Sequence, residues 1–188
     1  MAEVDSATQG QIERAESFRR LHQDPKLLVL PNIWDPLGAR MLESLGYPAV
    51  ATASAAVAFS LGYDDGEKID FETMLETIRR IAASVDVPVS ADIEAGADCI
   101  YPIGPGDPAT LKPILEQVRV PINVYASTAA APMRELETLG VARLSLGPGM
   151  LRASLTTMKR VAQRLLDYDS YESFTKDVLS SDEIRRYL

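Results

Sequence analysis

Two carboxylates, Asp92 and Glu94, end the apolar segment VPVSADI (87–93) with one residue between them. Side chains at positions i and i+2 of a β-strand point to the same face, so both carboxylates would leave the strand together. Carboxylate pairs of this kind suit a hard cation such as Mg²⁺. The spacing also fits loop acids or a helix N-cap, so the pair is a candidate metal site.

More polar side chains follow or end other apolar segments. They are Asn32, Asp35 and Ser54, with Asn123 inside the segment VPINVYA (120–126) and Asp65 in the long polar loop before residue 70. In parallel α/β folds the carboxyl ends of the strands form the edge where ligands bind. We therefore treat these residues as candidates for a binding site, although Asp65 fits a solvated Asp-Gly turn equally well.

The elements that must position these residues form an alternating series. Apolar segments typical of buried parallel strands cover 27–31, 49–53, 87–93, 98–102, 120–126 and 141–147. Helical patterns cover 12–23, 36–45, 71–85, 108–117, 132–140 and 150–167, and residues 54–66 are predicted to be a loop. Strands that alternate with helices predict a parallel sheet with helical crossovers.

One helix is missing from this series. A crossover between parallel neighbours needs a dozen or more residues, but only residues 94–97 separate the segments 87–93 and 98–102. The two segments could form one long bent strand or a hairpin, or they could lie in distant parts of a sheet.

The composition narrows the class of protein. The 188 residues are 46% hydrophobic, which is enough for one domain with a sizeable core, and the net charge is −8 without a basic run. This balance argues against a nucleic-acid partner. The single cysteine, Cys99, cannot form an internal disulfide, and no signal peptide or membrane-span pattern is found. We expect a soluble cytoplasmic protein.

Several motifs, in this order, resemble the isocitrate lyase and phosphoenolpyruvate mutase superfamily. They are LLVLPNIWDPLGARMLESLGYPAVATASAAVAFSLGYDDGE, VPVSADIEAG, AGADCIYPIG, VPINVYA, GVARLSLGPGMLRAS and the tail YDSYESFTKDVLSSDEI. The resemblance covers nearly the whole chain from about residue 17. It implies a (β/α)8 barrel and Mg²⁺-dependent lyase or decarboxylase chemistry on small 2-oxo or 2-hydroxy carboxylates. In that chemistry, metal and backbone N–H groups hold the negative charge of an enolate.

The resemblance also implies roles for individual residues. Asp92 matches the principal metal carboxylate, and Glu94 matches a second acid that serves the metal or the catalysis. Asp65 matches a catalytic acid of the loop after the second strand. The positions that match substrate contacts are Ser54, Ala55 and Asn123.

The chain departs from the superfamily in its middle. After SADIEAG, which resembles the end of the third strand, it continues with the lead into the sixth strand, and both motifs share the triplet Glu94–Gly96. Two strands and about three helices are absent, and with them go a Glu near the metal, an Arg for the substrate carboxylate and a gating loop. We expect an incomplete, TIM-barrel-derived βα fold with six strands. A catalytically impaired member that only binds metal or small acids, a structural remnant, and a faulty gene model or engineered deletion remain alternatives.

The chain ends in a polar segment with a helical tendency. We predict a single barrel-like domain over 1–168 and a C-terminal helical arm over 169–188. The resemblance implies that such an arm exchanges between subunits of a homo-oligomer, although a frayed terminal helix would have the same pattern.

Overall fold

The computed structural model describes residues 2–66, 68–91, 99–102, 106–167, 170–172 and 175–188. The helices are α1 (Ala2–Leu21), α2 (Pro36–Ser44), α3 (Ser54–Ser60), α4 (Phe71–Ala82), α5 (Pro108–Gln117), α6 (Met133–Leu139), α7 (Gly149–Leu166) and α8 (Ser181–Arg185). The strands are β1 (Leu28–Leu30), β2 (Asn32–Ile33), β3 (Val50–Thr52), β4 (Val89–Ser90), β5 (Asn123–Tyr125) and β6 (Arg143–Ser145). None of the described helices is long and apolar enough to cross a membrane.

The described strands are all parallel, and they form two three-stranded sheets with the orders β1-β6-β5 and β2-β3-β4. Only Pro31 separates β1 from β2, so one chain segment belongs to both sheets. Ile100 adds a parallel bridge to Ile122 beside β5. The resulting order is Ile100, β5, β6, β1 with β2, β3 and β4. This confirms the predicted βα series, and the sheet is not closed within the described residues.

Three aspartates cap the first turns of helices. The Oδ1 atom of Asp35 accepts from the Gly38 N–H at 2.7 Å, and Asp70 and Asp107 make the equivalent bonds at the starts of α4 and α5. Gly140 ends α6 with φ of 88°, a left-handed conformation that favours glycine. Local signals therefore place the boundaries of the helices that follow the strands.

The predicted loop over 54–66 is wrong for its first half, because α3 follows β3 after only Ala53. Ala56, Val57 and Ala58 of this helix are buried. Its alanine-rich sequence lacks the charged outer face that marks an amphipathic helix, so periodicity did not reveal it. Ala56 packs with Ala53, Trp34 and Leu151 of α7, and α3 also contacts α4, so this packing stabilises the helix.

The core has an outer and an inner part. Outer clusters pack the sheet against helices, one under α5 and α6 and one under α2 and α4. On the other face of the sheet, Leu30, Ala49 and Ala51 contact Phe18 and Leu21 of α1. The alternation of side chains along each strand therefore defines a helix-covered outer face and an inner face that α1 covers in part.

The N-cap carboxylates predict a response to acid. The Thr73 hydroxyl and backbone N–H donate to Asp70 and hold the pKa of this exposed carboxyl below its ordinary value of 3.8. Since the folded-state pKa is the lower one, the stability contributed by the cap is present above pH 3.8 and is lost as the pH falls through the folded-state value. Asp70→Asn, which keeps a capping oxygen, should reduce the loss of stability in this acidic window.

Urea unfolding at a series of acidic pH values would measure this effect. Glu116→Gln is the matched control, because it removes an exposed carboxylate that has no hydrogen bond among the described residues. If the free energy of unfolding of Asp70→Asn falls as steeply with decreasing pH as that of the parent protein, the ionised cap has no such role.

Candidate active site at the carboxyl edge of the sheet

The parallel strands bring their carboxyl ends to one edge. The residues that end or follow strands there include Ile33, Ala53, Ser90, Tyr125 and Ser145. Of the candidates from the sequence, Asn32, Asp35 and Ser54 lie beside these strand ends. The structure therefore brings these three to the same edge, where α/β barrels bind ligands.

Asn32 is a buried bridge between strands. Its Oδ1 atom accepts from the backbone N–H groups of Leu146 and Gly147 at 2.8 and 2.9 Å, and its Nδ2 donates to the Thr52 carbonyl at 2.9 Å. Asn32 is only 5% exposed, so these bonds form away from water. One side chain thus ties the end of β6 to the end of β3 across β2, and it joins the two sheets at the edge.

Gly147, which follows β6, has a backbone requirement of its own. Its φ is 51°, and an added Cβ would lie 3.0 Å from the ring of Tyr125. Both the conformation and the close approach favour glycine. The turn from β6 into α7 therefore lies tight against the edge.

Asn123 lies within the sheet. It is 2% exposed, its Nδ2 donates to the Ser145 hydroxyl at 2.9 Å, and its Oδ1 accepts from Nε of Arg143 at 3.0 Å. In this conformation the amide positions Ser145 and Arg143. A direct contact between Asn123 and a substrate stays a prediction.

Ser54 and Ala55 form the first turn of α3 and are half-buried at the edge. Asp65 is exposed in the turn after α3, where its carboxylate accepts from the Gly66 N–H at 3.0 Å. The Asp64 carboxylate in turn accepts from the Asp65 N–H at 2.9 Å. The turn has the hydrogen bonds of the solvated Asp-Gly alternative, and the catalytic role of Asp65 stays a prediction.

The candidate metal ligands Asp92 and Glu94 lie outside the described residues. Ser90 ends β4 in register with Ala51, and Asp92 follows two residues later in the sequence. Among the residues that the structure does describe, no three His, Cys, Asp or Glu side chains form a group that could hold a metal ion. The metal prediction therefore depends on these two carboxylates.

Cys99 and Arg143 lie on either side of β5, because Ile100, which follows Cys99, bridges to Ile122, and Arg143 pairs with Asn123. Burial raises the pKa of the Cys99 thiol, and the positive charge of Arg143 acts in the opposite direction. Arg143 was not a candidate because a single Arg in an apolar segment has no motif around it. The sequence feature that could have identified Arg143 is its charge, because β1–β6 contain no other charged residue.

A family model for phosphoenolpyruvate phosphomutase matches residues 18–96 and 93–166. The chain belongs to the phosphoenolpyruvate phosphomutase family. Within this family the two matched segments of the chain overlap at residues 93–96, which include the triplet predicted as the junction. An internal deletion between two similar short sequences gives such a pair of overlapping matches.

A curated relative, "Probable 2-methylisocitrate lyase 2" of Corynebacterium glutamicum, is 28% identical over 96 residues, or 51% of this chain and 31% of the relative. The chain spans about a third of the length of the curated relatives it matches. This family member therefore shares only one part of those lyases in recognisable sequence.

Solved structures of similar fold confirm the architecture. A protein from Burkholderia cenocepacia J2315, provisionally named a lyase/mutase, matches with a TM-score of 0.86 and 24% identity over 95% of this chain and 97% of that one. Phosphonopyruvate hydrolase in complex with oxalate and Mg²⁺ matches with a TM-score of 0.78 and 15% identity over 93% and 94%. At these identities the similarity shows the fold, and this family member has the barrel-like arrangement of its neighbours with an open sheet in its described part.

Proposed function

We propose that this protein is a Mg²⁺-dependent lyase or decarboxylase-type protein that acts on small 2-oxo or 2-hydroxy carboxylates. The observation that carries the proposal is the family membership of a chain that keeps two carboxylates directly after β4. The 2-methylisocitrate lyase relatives and the oxalate and Mg²⁺ complex of phosphonopyruvate hydrolase support the same class of substrate and the same metal.

The donor set fits Mg²⁺ in kind. Mg²⁺ prefers a few carboxylate oxygens and keeps several waters, and the carboxylate of Asp35 at this edge is already used to cap α2. Asp92 and Glu94 would therefore hold the ion. When bound, the ion supplies a positive charge that stabilises an enolate oxygen.

The other residues have separate tasks in this proposal. Ser54 and Ala55 contact a substrate oxygen from the first turn of α3, and Asp65 exchanges a proton with the reacting group. Because Asp65 is exposed in its turn, the loop after α3 must move toward the edge for this contact. Loop closure of this kind also excludes water from a site.

A second candidate is a protein that binds the metal and a small acid with little or no turnover. The open sheet favours it: within the described part of the chain, β4 has a neighbour on one side only, and so has the segment at Ile100. Water reaches an incomplete barrel more easily than a closed one, which weakens charge stabilisation. We expect turnover well below that of complete family members.

Titration calorimetry with oxalate, with and without Mg²⁺, tests the shared part of both candidates. A parallel assay of oxaloacetate, methylisocitrate and dimethylmalate separates them, since turnover supports the enzyme and binding alone supports the second candidate. The proposal is wrong if Mg²⁺ has no effect on oxalate binding and no substrate is turned over. The intact mass of natively produced protein would show whether the deletion belongs to the natural chain.

We also propose a cytoplasmic homo-oligomer in which residues 1–168 form the domain and residues 169–188 form the arm. Helix α7 supports a second copy as partner, because Leu155, Met158 and Leu165 are exposed at intervals of three and seven residues. Side chains at such spacings form an apolar stripe along a helix. The chain's own arm returns to α2, where Nη1 of Arg40 donates to the Leu188 carbonyl.

A charge placed in the stripe should separate the subunits. Met158 is 66% exposed, so Met158→Glu leaves the fold of one subunit intact but places a carboxylate where an apolar partner surface would lie. Static light scattering should show an oligomer for the parent protein and a lower mass for this variant. Thr157→Glu, one position away and exposed, is the control that should keep the oligomer. A monomeric parent protein would contradict the proposal.

A further inference from the structure

The inner face of the described sheet carries one charged side chain, that of Arg143 in β6, two positions from the sheet edge at Ile100. Leu144 of β6 packs into the outer core with Leu111 and Leu136 of the covering helices, so its neighbours Arg143 and Ser145 point to the inner face. In the register of the sheet, Arg143 lies between Leu28 of β1 and Asn123 of β5. A positive charge therefore sits in an otherwise uncharged row of strand residues.

The described neighbours of Arg143 do not neutralise its charge. Its Nε donates to the Asn123 amide, and no carboxylate of the described residues forms an ion pair with it. The side chain is half-buried, where an unpaired charge is costlier than in water. The bond from Nε to Asn123 turns the guanidinium toward β5, and Ile100 lies on the far side of β5, where it bridges to Ile122.

The guanidinium is also held in one orientation. The Ser145 hydroxyl accepts a hydrogen bond from Nδ2 of Asn123. This bond fixes the orientation of the amide, so that its Oδ1 atom faces Arg143. Because Asn123 is 2% exposed, this hydrogen bond is protected from water. One edge of the guanidinium is thus used, and no described residue is recorded as accepting from its Nη atoms. These two donors suit a two-pronged bond to a planar anion, the pairing that arginine makes best with carboxylates.

We propose that Arg143, oriented by Asn123, binds a carboxylate group of a small acid at the inner face of the sheet. This inference rests on the proposed function for the class of ligand. It goes further because it names the positively charged side chain that would bind the carboxylate, Arg143 of β6. Binding through Arg143 needs no metal ion, which allows a test that is independent of the metal site.

Calorimetry with oxalate in the presence of EDTA is the first test. We expect measurable binding to the parent protein and a loss of about 10- to 100-fold in affinity for Arg143→Gln, the size expected for a charge-assisted hydrogen bond. Arg143→Lys should retain part of the affinity because it keeps the charge but not the fork of donors. Arg134→Gln, the same change at an exposed position of α6, should bind oxalate as the parent does.

Cys99 provides a second test that requires no variant. Oxalate bound at Arg143 would offset the positive charge that lowers the pKa of the thiol, so less thiolate would be present. Alkylation of Cys99 by iodoacetamide should therefore slow when oxalate replaces chloride at equal ionic strength and pH. This measurement decides the question if Arg143→Gln does not fold.

The outcomes separate this inference from the proposed function. Metal-free binding that depends on Arg143, without any effect of Mg²⁺ or turnover, supports the inference and contradicts the proposed function. Binding that requires Mg²⁺, with no protection of Cys99, does the reverse. If the parent and a folded Arg143→Gln protein bind oxalate with equal affinity in the absence of metal, Arg143 has a role in strand pairing alone. That result would overturn the inference.

Discussion

Asp92→Asn is expected to remove the effect of Mg²⁺ on oxalate binding, with a loss of about 100-fold or more in metal-dependent affinity. In the proposed site, Asp92 and Glu94 are the two carboxylates that bind the ion. An amide oxygen keeps the shape but not the charge, and removing one partner of a close charge pair costs about 3–5 kcal/mol, which corresponds to 100-fold or more. Titration calorimetry at fixed Mg²⁺ concentration would measure the loss.

Asp86→Asn is the matched control for this experiment. Asp86 is exposed just before the strand that Asp92 follows, so the control changes net charge equally without touching the carboxyl edge. The control should keep its response to Mg²⁺. If both variants lose the response to Mg²⁺ equally, the change in net charge would explain the effect, and Asp92 would not be a ligand.

Asn32→Ala should lower the free energy of unfolding by at least about 3 kcal/mol, since three buried polar groups lose their partner and each such loss costs about 1–3 kcal/mol. The substitution leaves the N–H groups of Leu146 and Gly147 and the Thr52 carbonyl without the bonds that Asn32 makes to them. The side chain also connects the two sheets, so we expect the loss to act on the whole domain. Urea unfolding followed by circular dichroism would measure it.

Ser44→Ala is a suitable comparison, because it removes a single exposed hydrogen bond to the Met41 carbonyl. We expect a change within about 0.5 kcal/mol there, as for most surface substitutions. An equally small change for Asn32→Ala would mean that water replaces its bonds and that the bridge does not hold the sheets together.

Local signals in the sequence were enough for the succession of strands and helices along the chain and for many helix ends. Asp35, Asp70 and Asp107 each act on a backbone N–H three residues away, so the cap is contained in a few neighbouring residues. The short interval between the third and fourth apolar segments was visible by counting residues. The resemblance to the superfamily, rather than the count, placed the junction at Glu94–Gly96, and the overlapping family matches include that triplet.

Contacts between distant residues needed the tertiary structure. Asn32 and Leu146 are 114 positions apart, and Asn123 and Arg143 are 20 apart, so no periodicity within one segment connects them. Helix α3 is a similar case, because its buried Ala56 packs with Trp34 and with Leu151 of α7, which are distant in the sequence. The sequence alone determined the family, the parallel βα order and the pair of acids at the junction. Only the tertiary structure decided that Asn32 joins the sheets and that Asn123 holds Arg143, since hydrogen-bond partners are chosen by proximity in space.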